Sequence, residues 1–489
     1  MSGHLLHVDF DRQRGLQEQV RETLIRAILS GIFDANTPLP SCRQLAAQLN
    51  VSRNTTALVF EGLVNEGFLI SRPRSGYYLH PDAPQAVANM PERAPSDDGN
   101  APAWCNRLKI TPSQQESILK PAGWRDYRYP FIYGQPDTRQ FPLASWRAAA
   151  GWLHGGGRDP DWVVDQVDRD VPMLIEQIRT RILPKRGIAA SADEILITLG
   201  SQNALYLLTR LLMGRGTRVG VENPCFREAI NTFALSGCDI VPHAVDDEGM
   251  QPGSGRCDYY YVTPGHQVPT GITMSKRRRD ELLAHAAAQD AVIIEDDYDS
   301  ESNFTRNPLP ALKASDRQGR VIYVSSLSKA LSPGLRLGFM VADPELIDEA
   351  RALRRLAYRH PPSNIQYQMA YFLAQGHYET HLRRYREDSA RRWETLNQAL
   401  QQQLPACRPL PGSEHANAFW LRAPDGVNTQ QLTWRAAHAG VLIEPGARHF
   451  LDDAPPENYF RMGFHAIAPE AIFPGTAALG GQLARLLDG

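Results

Sequence analysis

The sequence has no apolar run of about 18 residues or more, so we expect no membrane-spanning helix. Residues 1–10 lack a basic region followed by an apolar core, which predicts no secretory signal. The six cysteines form no Cys-x-x-Cys pair, and the histidines do not cluster at metal-ligand spacing. We therefore expect no metal site and a reducing, cytoplasmic setting.

An excess of charge of one sign is also lacking, because the formal net charge is only −2. Such a balance gives no global attraction to nucleic acid, so any DNA contact has to come from a local basic surface. The chain has 489 residues, of which 42% are hydrophobic and 22% charged. This length exceeds one ordinary core and predicts two or more domains.

A first domain is predicted over residues 10–80, where three helical patterns precede a hairpin. Apolar residues at helical spacing end at Gly31, which suits a C-cap. Ser41 precedes Gln44 by three residues, a capping box for a second helix. Ser52 can cap a third helix with polar residues in its first turns, an arrangement that suits insertion into a DNA groove.

The third helix and the hairpin complete the first domain. We expect the rear of the helix to supply core residues, namely Leu58, Leu63 and Val64. Residues 68–79 then predict a two-stranded wing with Arg72, Arg74 and Gly76 near its tip. The pattern indicates a winged helix-turn-helix, and periodicity alone leaves a small accessory domain as the alternative.

Specific residues favour the DNA-binding interpretation. Residues 39–46 (Leu-Pro-Ser-Cys-Arg-Gln-Leu-Ala), 51–55 (Val-Ser-Arg-Asn-Thr) and 66–67 (Glu-Gly) resemble the GntR-type DNA-binding domain. The resemblance implies that Arg43 and Arg53 hold phosphates. It places Ser52, Asn54 and Thr55 on the groove surface. It places Arg74 and Gly76 in the wing that reaches the minor groove. Ala57 departs from members that have an arginine there.

The rest of the chain divides into a linker and a second domain. Residues 81–123 are predicted as a semi-rigid linker, because they are rich in proline and because residues 81–103 have hardly any large apolar residues. Over residues 124–489 short apolar strands alternate with helix-length segments, a pattern typical of a mostly parallel α/β sheet. We expect a smaller α+β subdomain over about residues 376–489. Ligands of such sheets bind beyond the carboxyl ends of the strands.

One strand end carries the most informative motif. The strand Val321–Val324 leads to Lys329, which lies among hydroxyl residues and is followed by Arg336. A lysine is nucleophilic only where burial or a cationic neighbour lowers its pKa. Ser326, Ser328 and Arg336 suit a phosphate. The stretch indicates a Schiff base between Lys329 and pyridoxal phosphate, and the tetrapeptide alone leaves a surface turn as the alternative.

Other strand ends offer companions to this lysine. Gly200 precedes a helix whose N-terminus, with Ser201 and Gln202, suits an anion. Asp296 and Asp297 belong to an acidic cluster that needs a cation, and the protonated pyridine nitrogen is one. We favour Asp296 over Asp297 for this role. A solvated acidic loop is the alternative.

These motifs resemble fold-type I aminotransferases. The resemblance implies Lys329 as the Schiff-base lysine and a phosphate site made of Ser201, Gln202, Ser326, Ser328 and Arg336. It implies that Phe226 stacks on the pyridine in place of a tyrosine, with a core phenylalanine as the alternative, and that Tyr298 contacts the phenolic oxygen. Arg461 would grip a ligand carboxylate, unless it forms a surface ion pair. Val268 replaces an asparagine, so one ring contact is missing.

The two halves in this order resemble the MocR-type regulators. The resemblance implies a transcriptional regulator that binds operator DNA and senses an amino acid or related amine through aldimine exchange at Lys329. It also implies a homodimer with swapped heads. Two alternatives remain: an active pyridoxal phosphate-dependent aminotransferase with a DNA-binding head, and a DNA-binding protein that uses the cofactor only for stability.

Overall fold

A computed structural model describes residues 10–11, 14–29, 31–34, 37–81, 103–118, 120–132, 134, 136–155, 161–253, 255–299, 308–410 and 416–488. The chain forms two compact units that divide between Leu108 and Lys109. Residues 82–102 of the expected linker lie outside the described ranges, and its part from Lys109 onward belongs to the second unit. None of the described helices is long and apolar enough to cross a membrane.

The first unit is a winged helix-turn-helix. Its elements are α1 (Leu16–Leu29), α2 (Cys42–Leu49), α3 (Arg53–Asn65), β1 (Leu69–Arg72) and β2 (Gly76–Leu79). The predicted capping box is confirmed: Ser41 Oγ accepts from Gln44 N at 3.3 Å, and Ser41 N donates to Gln44 Oε1 at 2.9 Å. Ser52 caps α3 by accepting from Thr55 N at 3.0 Å.

The core of this unit corrects one expectation. Leu58 is 44% exposed, whereas Val59, Phe60 and Leu63 are buried. The prediction for Leu58 is wrong because the stripe facing α1 and α2 follows the helical spacing through positions 56, 59, 60 and 63, and position 58 lies on the other side. Val64 is half-buried. The buried Thr56 Oγ1 donates to Cys42 O at 3.0 Å, which holds α3 against α2.

The second unit begins with a large α/β part. Its elements are β3 (Tyr129–Pro130), α4 (Leu143–His154), α5 (Pro172–Gln177), β4 (Ile195–Thr198), α6 (Ser201–Leu212), β5 (Arg218–Asn223), α7 (Arg227–Ala234), β6 (Asp239–Asp246), β7 (Gly249–Met250), β8 (Tyr259–Val262), α8 (Lys276–Gln289), β9 (Val292–Asp297), β10 (Val321–Ser326), β11 (Gly338–Val341), α9 (Pro344–Tyr358) and α10 (Ser363–Ala374).

Eight strands of the described part form one sheet in the order β4-β11-β10-β9-β8-β5-β6-β7. Strands β10, β9, β8, β5 and β6 run parallel, while β11 lies antiparallel between β4 and β10. Apolar clusters bury both faces, as is usual for parallel sheets. The expected mostly parallel sheet is confirmed, and its carboxyl edge collects the ends of β5, β9 and β10.

The chain ends in a smaller α+β part. Its elements are α11 (His377–Gln403), β12 (Arg408–Pro409), β13 (Ala418–Arg422), α12 (Thr429–His438), β14 (Val441–Leu442), β15 (Glu444–Pro445), β16 (Tyr459–Gly463) and α13 (Ile472–Leu487). A second sheet has the order β12-β13-β16-β15, and β14 pairs with β3. The apolar faces of α11, α12 and α13 form one core with this sheet. The strand pair β15-β16 carries residues of the site described next.

Candidate functional site

A cavity of about 330 Å³ lies in the second unit at the carboxyl ends of the parallel strands. All residues predicted to bind the cofactor line it, namely Ser201, Gln202, Phe226, Asp296, Tyr298, Ser326, Ser328, Lys329 and Arg336. Arg461, predicted to bind a ligand carboxylate, also lines it. The structure therefore brings together residues that lie up to 260 positions apart in the sequence.

Lys329 follows β10 and presents its amine to the cavity. Its Nζ lies 5.2 Å from the ring centroid of Tyr298. Burial lowers the pKa of Lys329 to about 8, although the negative charge of Asp299 acts in the opposite direction. A larger share of this amine is therefore neutral near pH 7 than for an exposed lysine, and only the neutral amine attacks a carbonyl.

Asp296 and Asp297 end β9 on opposite faces of the sheet, as successive strand residues do. Asp296 lines the cavity and accepts a hydrogen bond from Tyr261 Oη at 2.9 Å. Asp297 faces the other way, where Oδ2 accepts from Arg186 Nε and from Tyr323 Oη, each at 2.7 Å. Of the two candidates, Asp296 is the carboxylate placed to meet a group in the cavity.

The second carboxylate oxygen of Asp296 can accept a further hydrogen bond. Among the described residues, no hydrogen-bond donor reaches its buried Oδ1 atom. Burial raises the pKa of Asp296 to about 7. A cationic N–H group in the cavity would satisfy this oxygen and stabilise its charge.

The phosphate side of the cavity is built around the start of α6. Gly200 precedes this helix with φ +82°, and Ser201 is its first residue. Arg336 Nη2 donates to Leu199 O at 2.9 Å. A Cβ at Gly200 would lie only 3.0 Å from this nitrogen, so the absence of a side chain allows the close approach. The helix N-terminus, Arg336 and Ser326 all line the cavity, and their chemistry suits an anion; we call them the anion cradle, and phosphate binding by them stays a prediction.

Ser328 has a different hydrogen-bond pattern from Ser326. Its buried hydroxyl donates to Leu337 O at 2.9 Å and accepts from Leu337 N at 2.6 Å. These bonds fix the turn that returns to β11. Gly338 follows, and a Cβ there would lie 2.8 Å from Gly200 Cα, so this glycine lets β11 pass beneath the cradle. The phosphate role of Ser328 stays a prediction, since its proton is already donated.

The side of the cavity predicted to bind the cofactor ring has Phe226 and Val268 in its wall. Phe226 is half-buried and immediately precedes α7, and its predicted stacking on the pyridine stays a prediction. Tyr298 Oη donates to His266 O at 3.0 Å, so its predicted contact with a phenolic oxygen stays a prediction. Val268 offers no hydrogen-bonding side chain.

Arg461 lies on β16 opposite Glu444 of β15. Its Nη2 atom is 2.6 Å from Glu444 Oε1. The same oxygen is 2.9 Å from His449 Nε2. Burial raises the pKa of Glu444, but Arg461 and His449 overcome this effect and hold that pKa at about 2. Arg461 therefore has a protein carboxylate as partner, beside the space predicted to receive a ligand carboxylate.

Sequence reasoning missed several residues of the cavity wall. Glu444, Glu228, Ile118 and Lys120 line it. Ile118 and Lys120 belong to the stretch expected to be linker, and their apolar and basic side chains gave no motif. The Glu444–Arg461 pair forms across two strands, so only the strand order reveals it.

The first unit carries the candidate DNA surface. Most of its predicted DNA-binding residues are exposed, namely Arg43, Ser52, Arg53, Asn54, Arg74 and Gly76, and Thr55 is half-buried. Ser52 Oγ and Thr55 Oγ1 are 2.8 Å apart, so their hydroxyls share a bond at the start of α3. Arg74 and Gly76 have φ +62° and +107° at the tip of the β1-β2 hairpin. Base and phosphate contacts by these residues stay predictions.

The cavity fits pyridoxal 5′-phosphate on the chemistry of its residues. It offers a cradle for a phosphate, a lysine of lowered pKa for an aldehyde, and a buried carboxylate oxygen lacking a donor for a protonated pyridine nitrogen. When bound, this cofactor supplies an aldehyde that condenses reversibly with primary amines.

Comparisons with known proteins agree with both units. Residues 16–79 match the family Bacterial regulatory proteins, gntR family, and residues 168–446 match Aminotransferase class I and II. The chain is 38% identical to the HTH-type transcriptional regulator TauR of Rhodobacter capsulatus, over 96% of each chain. It is 30% identical to the Probable rhizopine catabolism regulatory protein MocR of Rhizobium meliloti, over 97% of this chain and 95% of that protein.

A solved structure supports the fold of the second unit. LysN, the α-aminoadipate aminotransferase of Thermus thermophilus, crystallised with N-(5′-phosphopyridoxyl)-L-leucine, is similar with a TM-score of 0.69 and 27% identity, over 78% of this chain and 97% of that chain. The expected fold-type I aminotransferase fold is confirmed. The chain therefore belongs to the MocR-type transcriptional regulators, in which a GntR-type DNA-binding domain precedes a pyridoxal phosphate-binding domain of aminotransferase class I and II.

Proposed function

We propose that this protein is a cytoplasmic transcriptional regulator that binds operator DNA through its first unit and senses an amino acid or related amine in its second. The effector amine replaces Lys329 as the partner of the cofactor aldehyde. The observation that carries the proposal is that Lys329, Asp296 and Arg461 line one cavity in a chain that begins with a winged helix-turn-helix.

Each of these residues has a distinct task in sensing. Lys329 holds the cofactor and, once displaced, its amine of lowered pKa can take the cofactor back. Asp296 keeps the pyridine nitrogen protonated. Arg461 attracts the acid group of an amino acid. Together they make amine exchange reversible, as a sensor requires.

The proposal includes a homodimer as the DNA-binding form. A helix-turn-helix usually reads a two-fold operator as a dimer, and half-site spacing then follows from protein symmetry. Sedimentation of the purified protein with and without an operator fragment tests this part. A monomer that binds a single half-site would contradict it.

The principal test follows cofactor absorbance and operator affinity in one amine titration. A panel of amino acids and simple amines is added to protein loaded with pyridoxal phosphate, and DNA binding is measured by fluorescence anisotropy at fixed salt. We expect a member of the panel to shift the absorbance and the operator affinity at the same concentration. Absorbance changes that leave operator affinity constant across the panel would contradict sensing.

An active aminotransferase with a DNA-binding head is a second candidate. The presence of Lys329, Asp296 and Arg461 around one cavity favours it, because these residues also suit transamination. The test incubates the loaded protein with an amino donor and a keto acid and measures the new amino acid. Catalytic turnover supports the enzyme, whereas a stable absorbance shift without product supports the sensor.

A further inference from the structure

The ligand side of the cavity has an unusual charge balance around Arg461. A cross-strand register places Glu444 opposite it, and His449 fixes Glu444 from the other side. The guanidinium and this carboxylate compensate each other's charge. Arg461 therefore attracts a ligand anion less strongly than an arginine without a protein carboxylate would, and a second cation is needed for strong binding.

Lys120 supplies a second cation in the same cavity wall. Lys120 lines the cavity together with Glu228, Glu444 and Arg461, the residues that surround the space predicted for a ligand carboxylate. Lys120 is exposed to solvent, and partial desolvation by the surrounding wall still lowers its pKa. A ligand anion beside it would restore the favourable environment for the charged amine.

The segment shortly before Lys120 is bonded to the rest of the second unit. We call residues 115–118 together with Lys120 the strap. Gln115 Nε2 donates to Asn231 O at 3.0 Å, and Asn231 Nδ2 donates to Glu116 O at 2.7 Å. Ile118 N donates to Glu228 Oε1 at 3.3 Å. These bonds fasten the strap to α7, the helix that directly follows Phe226 in the cavity wall.

The other side of the strap meets the turn after β15. Arg448 Nη1 donates to Ser117 O at 3.0 Å. Arg448 belongs to the short helix Ala447–His449 in that turn and directly precedes His449 in the sequence. The strap therefore bridges the two walls of the ligand space, α7 of the large part and the β15 turn of the small part.

We propose that Lys120 and Arg461 form a two-cation subsite for the acid group of the effector, so that the sensed ligand is an amine carrying a carboxylate, sulfonate or phosphonate. This inference rests on the proposed amine-sensing function. Lys120 is also the residue through which the ligand contacts the strap. The strap lies shortly after Lys109, where the second unit begins, so ligand binding at Lys120 acts on a stretch of chain close in sequence to the DNA-binding unit.

The test compares amines that differ only in their acid group. Ethylamine, 3-aminopropanoate, 2-aminoethanesulfonate and 2-aminoethylphosphonate are titrated into the loaded protein at constant ionic strength, with cofactor absorbance as the readout. The variants are K120M, which removes the charge, and K120R, which keeps it. K109M, at an exposed lysine near the start of the same unit, is the matched control.

We expect K120M to weaken binding of the preferred acid-bearing amine about tenfold, a loss typical of one charge contact. Ethylamine binding stays unchanged, K120R restores most of the affinity, and K109M behaves like the wild type. In wild type, hydrogen exchange at Ile118 slows with the acid-bearing amine and not with ethylamine. In K120M this protection is lost.

Three outcomes overturn the inference, and the measurements distinguish them from one another. If wild type prefers acid-bearing amines and K120M keeps the same preference, the subsite is wrong while amine sensing stands. If K120M weakens ethylamine as much as 3-aminopropanoate, Lys120 acts on the cavity in general and not on the acid group. A wild type that exchanges with none of the amines would remove the proposed function itself, and this inference with it.

Discussion

Charged residues with a predicted role lie mostly exposed in the first unit, whereas several of those in the second unit are buried. In the first unit the candidate DNA contacts Arg43, Arg53 and Arg74 are exposed, over a core that is mainly apolar. In the second unit charged groups such as Asp296 and Glu444 are withdrawn from water, and their pKa values move to about 7 and about 2. The first arrangement suits a long polyanion, and the second suits a small ligand.

This difference has consequences that can be measured separately. Exposed charges are screened by salt, with a Debye length of about 8 Å at physiological ionic strength. Buried charges are screened much less, and removing one partner leaves the other without compensation. DNA binding should therefore respond to salt and amine binding to substitution of single buried residues.

Lys329→Ala is expected to abolish the coupling between effector sensing in the second unit and DNA binding in the first. Without its amine the protein loses the covalent attachment of the cofactor and the effector response, because no group remains for the effector to displace. Operator binding without effector stays near the wild-type value, since the DNA candidates belong to a separate compact unit. Anisotropy and transcription assays, run side by side, check this. Full retention of the effector response would contradict amine exchange as the signal.

Arg461→Ala is expected to weaken binding of acid-bearing amines by about 2 to 5 kcal/mol, because a buried charge partner is lost. The cofactor remains attached to Lys329 with its absorbance unchanged. Arg485→Ala, an exposed arginine in α13, is the matched control. Identical titration curves for Arg461→Ala and wild type would show that the arginine does not contact the ligand.

Substitutions in α3 test the exposed DNA-binding residues of the first unit. Arg53→Ala should weaken binding to all DNA sequences alike and lower the salt slope of log affinity by about one, as for a phosphate contact. Asn54→Ala should instead lose about 1 to 3 kcal/mol of discrimination at one base position. Competition assays over a salt series distinguish the two. Equal effects of both variants on operator and random DNA would contradict the assignment of Asn54.

The lowered pKa of Lys329 predicts how the cofactor-free protein takes up pyridoxal phosphate. Only the neutral amine reacts, so below pH 8 the uptake rate should rise about tenfold per pH unit and then level off near the pKa of about 8. An ordinary lysine would continue to rise until about pH 10. Stopped-flow absorbance checks this, with a lysine peptide as control. A rate that still rises steeply at pH 9 would contradict the effect of burial.

Local features of the sequence predicted local structure well. The capping box at Ser41 and Gln44 and the cap at Ser52 depend on residues three positions apart, and both are confirmed. Lys329, Ser201, Gln202 and Asp296 were predicted from their places at strand ends and a helix start, whereas Phe226, Tyr298 and Arg461 were predicted from the resemblance to aminotransferases. Strand alternation also required Asp296 and Asp297 to face opposite sides, but only the surrounding strands decide which side holds the cavity.

Features that depend on tertiary contacts were not predictable in this way. Glu444 meets Arg461 because β15 and β16 are neighbours, although the two residues are seventeen positions apart. Lys120 lies in a stretch whose composition indicated a linker, yet the bonds of that stretch to α7 make it part of the cavity wall. Leu58 shows that a helical stripe is set by its packing partners as well as by its period.

The central claim is that one chain couples amine binding to DNA binding, and linkage tests it most directly. Effector affinity is measured by cofactor absorbance with and without saturating operator, and operator affinity is measured with and without saturating effector. If the two sites are coupled, the factor by which effector changes operator affinity equals the factor by which operator changes effector affinity. We predict equal factors that differ from one. Factors of one in both directions, with both ligands bound, would contradict the account.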